Sequence, residues 1–283
     1  MKFGRRFRSR SDFRKSGALS CVLLFLGACA MPTNSGAPPA AQVARPPTAH
    51  RDGSHADVLL FAGASIWTSE VDSLANIMID HQETYQEVNS AELNAMSLDE
   101  IAQYALLVIP GGDAPTLTSS LSAETHARLR AAVQERGVNY LGFCAGAWAA
   151  VAPAPTRPGD DVSYGLGIVD GPREGFNYLA KQGKEFAISR ASFPDKTQRD
   201  LLWYGGPVTP DGPGAVIAKY PDGTPAISQL TSRQGFVIVS GLHPAANAAI
   251  LNVLGISDAE AIDPDFAWGL LNAGIHAVPL PAF

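Results

Sequence analysis

The chain has 283 residues, 46% of them hydrophobic and 17% charged, with 27 acidic against 21 basic side chains and a formal net charge of −6. That apolar share is enough for a folded core and excludes an extended disordered chain. The acidic balance speaks against nucleic-acid partners, because no basic stripe interleaved with aromatics remains beyond the first residues, and cysteines at only positions 21, 29 and 144 exclude a disulfide scaffold.

Residues 1–29 read as an export signal ending in a lipobox. Lys2, Arg5, Arg6, Arg8, Arg10, Arg14 and Lys15 precede the apolar run from Ala18 to Leu26, which is too short to span a bilayer. Leu26-Gly27-Ala28-Cys29 then places small residues before a cysteine, where cleavage and lipidation would occur; cleavage without lipid is the other reading. Arg5-Arg6 leaves the twin-arginine route open beside the general one. Ala30 after the cysteine, where Asp would retain a lipoprotein at the inner membrane, resembles the outer-membrane sorting pattern and implies the periplasmic face of that membrane. Cleavage would leave 14 basic against 26 acidic side chains, a net charge of −12. Residues 30–55, rich in Pro and Ala, read as a tether holding a folded body clear of the lipid surface.

Residues 56–283 have the length and apolar content of one domain. Val58-Leu59-Leu60-Phe61-Ala62-Gly63 reads as a buried strand, followed by a loop with Ser65, Trp67 and Ser69. A helix is expected from about Glu70 to His81, with Leu74, Ile77 and Met78 on one face. Tyr85–Val88 is a further strand, Leu98–Gln103 a short helix, and Tyr104–Ile109 a buried strand stopped by Pro110-Gly111-Gly112. A helix over Ala123–Arg136 is capped by Ser122 and ended by Gly137. Val138–Phe143 is a strand entering Cys144, and Ala145–Val151 starts a helix of small residues. Alternating strands and helices of this kind imply a parallel sheet covered on both faces. Beyond Val151 the strands shorten: Glu185–Phe193, Leu201–Tyr204, Ala215–Tyr220, Pro225–Thr231 and Phe236–Ser240, with Pro221-Asp222-Gly223 as an antiparallel turn. Helices over Ala245–Leu254 and Pro264–Ala273 close the chain.

Cys144 carries the chemistry. It lies in Gly142-Phe143-Cys144-Ala145-Gly146, a G-x-C-x-G form of the strand-to-helix nucleophile elbow, and the following helix start favours thiolate over thiol. No disulfide partner for it would remain within one mature chain, so it is either buried and inert or a reactive thiol. His243, directly after the buried strand Phe236–Ser240, is the candidate base on the same sheet edge; a satisfied strand-end histidine is the bland alternative. Backbone N–H groups at Ala145 and at Gly111 or Gly112 are candidate oxyanion donors. Ser65, Asp113, Trp148 and Tyr204 are placed around the pocket, while the other tryptophans read as core or pocket wall. Asp160-Asp161 reads as a solvated loop, since no His or Cys cluster has ligand spacing, and no phosphate-binding loop is present, so neither metal nor cofactor is expected.

Leu107-Val108-Ile109-Pro110-Gly111-Gly112-Asp113, Tyr140 to Ala147, Trp203-Tyr204-Gly205-Gly206-Pro207 and Ser240-Gly241-Leu242-His243-Pro244 together resemble the N-terminal domain of biotin–protein ligases, a branch of the class I glutamine amidotransferase-like superfamily. The resemblance runs from about Val58 to Pro244. It implies a flavodoxin-like three-layer α/β sandwich, mostly parallel with antiparallel strands in its C-terminal half, with Cys144 as nucleophile and His243 as base. No ligase domain follows, so biotin transfer is not implied. The amidotransferase His-x-Glu pattern is broken here as His243-Pro244-Ala245, and Asn247 is the nearest candidate to orient the imidazole. The expectation is an envelope lipoprotein that cleaves an amide of a small molecule or peptide through a thioester, its membrane contact made by lipid on Cys29. A ligand- or protein-binding pseudoenzyme is the alternative, and a redox-sensing thiol a third reading.

Overall fold

The computed structural model describes residues 56–151, 165–170, 182–256 and 263–283. The expected signal, lipobox and tether, and the Asp160-Asp161 loop, lie outside them. The apolar runs become β1 (Val58–Phe61), β3 (Leu106–Ile109) and β4 (Asn139–Phe143), which with β2 (Tyr85–Val88) and β9 (Gly235–Ser240) form a parallel half in the order β2-β1-β3-β4-β9. This is the doubly wound order in which ligands bind beyond the strands' carboxyl ends.

Strand periodicity divides the core into two layers. Val58, Leu60, Leu106, Val108, Leu141 and Phe143 face α1 (Thr68–Asp80) and a long C-terminal helix, Pro264–His276. Leu59, Phe61, Leu107, Ile109 and Tyr140 face the opposite layer, built from α2 (Ser90–Ala95), α3 (Leu98–Ile101), α4 (Ala114–Ser119), α5 (Ala123–Arg136) and α6 (Ala145–Val151). The result is the expected three-layer α/β sandwich.

The sheet continues from β9 as an antiparallel half, through β8 (Pro225–Ser232), β7 (Val216–Lys219), β5 (Phe186–Ser192) and β6 (Gln198–Tyr204). This half curls round, because Leu202 of β6 bridges back to His243, three residues past the end of β9. The last strand of the sheet is thereby returned to the edge where the parallel strands end.

Several boundaries differ from the expectation for identifiable reasons. α2 and α4 have only six residues each, too few to show an apolar stripe, and they are held instead by caps: Asn89 and Glu92 form a capping box on α2, and Asp113 caps α4. β6 starts at polar Gln198, because Asp200 pairs with Arg190 across the exposed end of the β5–β6 hairpin at 2.8 Å. α7 (Ala248–Leu254) begins three residues later than expected because Asn247 is its cap and His243–Ala246 forms a turn before it. α8 (Pro264–His276) extends beyond Ala273.

Candidate functional site

Cys144 sits between the end of β4 and the first residue of α6 with φ +43°, the left-handed region that non-glycine residues rarely occupy. Close packing of α6 on the sheet forces this turn. A Cβ on Gly142 would fall 2.6 Å from the Gly146 carbonyl carbon, and one on Gly146 would fall 2.0 Å from Ile109 O. Tyr140 Oη donates to Gly146 O at 2.7 Å, and burial pushes that phenol's pKa far upward, which keeps it a donor. Cys144 N–H donates to Ser240 O of β9 at 2.8 Å, tying the elbow to the strand that leads to His243.

His243 is held on several sides. Its N–H donates to Leu202 O at 2.9 Å, and its ring stacks on Trp67 with centroids 4.6 Å apart and planes 13° from parallel. Its Nδ1 lies 3.0 Å from Glu70 Oε1, and Gly111 N–H donates to Glu70 Oε2 at 2.6 Å. A carboxylate oxygen can only accept, so Nδ1–H is the donor to Glu70 and Nε2 is the ring nitrogen left open for proton transfer. That Nε2 is buried and has no hydrogen-bond partner. Gly111 is required by this arrangement, since a Cβ there would fall 2.3 Å from His243 Cε1 and 2.7 Å from Glu70 Oε2.

The thiol lies under the turn that follows β6. Cys144 Sγ donates to Tyr204 O at 3.1 Å, Trp148 Nε1 donates to Gly205 O at 3.0 Å, and Trp203 Nε1 donates to Gly206 O at 3.0 Å. The Tyr204 ring packs on Trp67 at 5.1 Å, so a continuous set of contacts joins thiol, Tyr204, indole and imidazole. Cys144 is 0% exposed and His243 1%.

A sequence model described as "Biotin-protein ligase, N terminal" matches residues 56–263. This chain belongs to that family. No curated protein sequence matches it. Among solved structures, a GH42 β-galactosidase from G. stearothermophilus aligns at TM-score 0.44 and 11% identity over 81% of this chain and 31% of the other. This chain therefore spans under a third of that enzyme. The cytoplasmic protein STM1381 from Salmonella typhimurium LT2 aligns at 0.48 and 11% over 79% and 100%, and a Schizosaccharomyces pombe DJ-1 mutant at 0.35 and 14% over 79% and 99%. None of the three bears on what this chain does.

In this biotin–protein ligase N-terminal-family domain, Cys144, His243, Tyr204, Trp148, Gly111, Gly112 and Ala145 all reach the one sheet edge. Two expectations change. Gly111 N–H is committed to Glu70, which leaves Gly112 and Ala145 as the candidate oxyanion donors. Asn247 does not orient the imidazole: its Oδ1 caps α7 and its Nδ2 donates to Ser69 O at 2.8 Å. Asp113, expected around the pocket, caps α4, and the exposed Ser65 donates to its carbonyl. Sequence reasoning missed Glu70 and the stacking role of Trp67. The available signal was a carboxylate four residues before Leu74, on the buried stripe of α1. Among the described residues no group of three or more His, Cys, Asp or Glu side chains has metal-binding proximity, and no helix is long and apolar enough to cross a membrane.

Proposed function

We propose that the domain is a cysteine-dependent amidohydrolase in which Cys144 attacks the carbonyl of a small-molecule or peptide amide, His243 is the base and Glu70 orients it. The observation that carries this reading is His243: Nδ1 is fixed by a buried carboxylate, while Nε2 is buried, unpartnered and on the elbow's edge. A buried polar atom without a partner costs about 1–3 kcal/mol, and a proton-transfer role is a recognised reason to keep one. The absence of Glu two residues after His243 is made good from α1, by a residue far away in sequence that reaches the same nitrogen.

In this mechanism a rotation of the Cys144 side chain takes the thiol from Tyr204 O to His243 Nε2, which accepts its proton. The thiolate adds to the amide carbonyl, and the oxyanion is held by the N–H groups of Ala145 and Gly112. The imidazolium returns the proton to the departing amine, leaving a thioester, and His243 then activates the water that hydrolyses it. Hydrogen bonds of this kind are often not yet formed in a resting site.

The test is turnover of amino-acid p-nitroanilides, with intact-protein mass spectrometry to detect an acyl group on Cys144. An acyl adduct in the wild type that is absent in Cys144→Ser supports hydrolysis; no adduct and no turnover above Cys144→Ser overturns it. One observation favours the second reading, a binding pseudoenzyme: the buried thiol is engaged by the Tyr204 carbonyl instead of His243 Nε2. The basic and apolar pattern of residues 1–29 with its lipobox and the Pro/Ala-rich composition of residues 30–55 support a periplasmic location anchored to the outer membrane by lipid on Cys29, as part of the same proposal. Loss of lipid labelling in Cys29→Ser checks it.

A further inference from the structure

We propose that Trp67 is a positioning residue for His243, whose indole face both fixes the imidazole and stabilises the protonated ring formed when Cys144 gives up its proton. The inference rests on the Cys144–His243 reading above and adds a residue to it.

Three contacts restrict the ring. Glu70 holds Nδ1, the Gly111 backbone abuts the Cε1–Nδ1 edge closely enough to exclude a Cβ, and Trp67 covers a face nearly parallel to it. Nε2 is the nitrogen these contacts leave for a substrate or the thiol. Trp67 is itself fixed from both ends of the site. Its N–H donates to Gly111 O at 3.0 Å, its carbonyl accepts from Glu70 N–H at 2.9 Å at the start of α1, and its ring packs on Tyr204. The same short segment therefore supplies the orienting carboxylate and the stacking face, and both are built around one imidazole.

The chemistry gives the stack a function beyond packing. The Sγ–H bond breaks, its electron pair stays on sulfur, and the proton goes to the Nε2 lone pair, so a thiolate and an imidazolium replace two neutral groups. A cation over an indole face is attracted by the ring quadrupole far more than a neutral ring is. Trp67 thus favours the charged pair over the neutral one. Among the described residues, the titratable group in contact with the ring is Glu70 from α1; Tyr204 at the end of β6 packs on the indole, and Cys144 from the β4–α6 elbow is bonded to the Tyr204 carbonyl. Glu70 supports the same ionisation from the ring's opposite nitrogen, and the indole adds to it from the face.

The experiment is the pH dependence of Cys144 alkylation by iodoacetamide in the full-length chain, followed by peptide mass at Cys144, for the wild type, Trp67→Phe and Trp67→Leu. The expected result is an alkylation midpoint about half a pH unit to one unit higher in Trp67→Leu, with Trp67→Phe between it and the wild type. Read at a pH below the midpoint, this is a slowing of roughly 3- to 10-fold. A midpoint unchanged in Trp67→Leu overturns the inference, as does an equal shift in both variants, which would reflect lost packing instead of a lost face. Trp67→Met carries the same comparison if Trp67→Leu does not fold. A wild-type midpoint near the ordinary thiol value of about 8.5, indifferent to His243→Ala, removes the Cys144–His243 pair and this inference with it.

Discussion

Glu70→Gln separates the orienting role of the carboxylate from its bulk. Glu70 accepts twice, from His243 Nδ1 at 3.0 Å and from Gly111 N–H at 2.6 Å. Glutamine has the same shape but only one acceptor oxygen. If that oxygen stays on Gly111, the amide nitrogen faces His243 and Nδ1 must accept, which moves the ring proton to Nε2. If the oxygen turns to His243, two donors meet at Gly111. Both hydrogen bonds lose their charge assistance, and in the second arrangement the Gly111 bond is lost outright, about 1.5–3 kcal/mol, partly offset by no longer burying a charge. The functional loss is larger. The corresponding carboxylate-to-amide change in a serine hydrolase triad costs about four orders of magnitude in turnover through the wrong tautomer. For the thiol here, return of the alkylation midpoint to about 8.5 would slow modification at pH 6.5 by up to about 100-fold. The assay is a two-bond ¹⁵N–¹H correlation spectrum of the His243 ring, with urea unfolding to account for stability. Nδ1–H in the wild type and Nε2–H in Glu70→Gln is the expected pair of states. The same tautomer and the same alkylation profile in both proteins would refute the reasoning.

Other perturbations give independent checks. Gly111→Ala places a methyl 2.3 Å from His243 Cε1, so the ring or the loop must move; the expected outcome is loss of rapid Cys144 alkylation with a destabilisation of about 1–3 kcal/mol in urea. Gly146→Ala drives a methyl into Ile109 O at 2.0 Å, against backbone that cannot yield cheaply, and urea unfolding should show a loss at the top of that range or beyond. Tyr140→Phe removes the bond to Gly146 O and should cost about 1 kcal/mol, with one fewer buried phenol seen in ultraviolet titration. Burial lowers the pKa of His126, whose Nε2 lies 2.9 Å from Thr118 O, so the folded protein favours the neutral ring. Its stabilisation is complete above the unfolded value of about 6.5 and is lost as pH falls from there through the depressed folded value. Urea midpoints at pH 7.5 and pH 5 should therefore diverge more in the wild type than in His126→Gln.

The parallel half of the sheet was legible because β1 and β3, buried on both faces, are uninterrupted apolar runs and β4 is apolar from Tyr140 on, and the Gly142 to Gly146 spacing marks the elbow without knowledge of the fold. α5 was bounded correctly at both ends, since Ser122 and Gly137 are strong local caps. Six-residue helices escaped because they carry too little periodicity, although their Asn89 and Asp113 caps were visible. At the site the limit was distance along the chain. A search beside His243 finds Ala245 and Asn247, whereas the carboxylate on Nδ1 is 173 residues away on α1. Only the fold brings the β1–α1 loop over the end of β9, and only the curl of the antiparallel half brings Tyr204 O onto the thiol. Gly111 is expected from the sequence as an oxyanion donor, yet its missing side chain makes room for the imidazole and Glu70.

The central claim is that Cys144 and His243 form an activated pair. Its most direct test is the pH dependence of Cys144 alkylation in the full-length wild type compared with His243→Ala. The account predicts a thiolate present well below pH 8.5 in the wild type and a return to about that ordinary value when the imidazole is removed. Identical profiles with an ordinary midpoint in both proteins would contradict it and make the binding pseudoenzyme the better description.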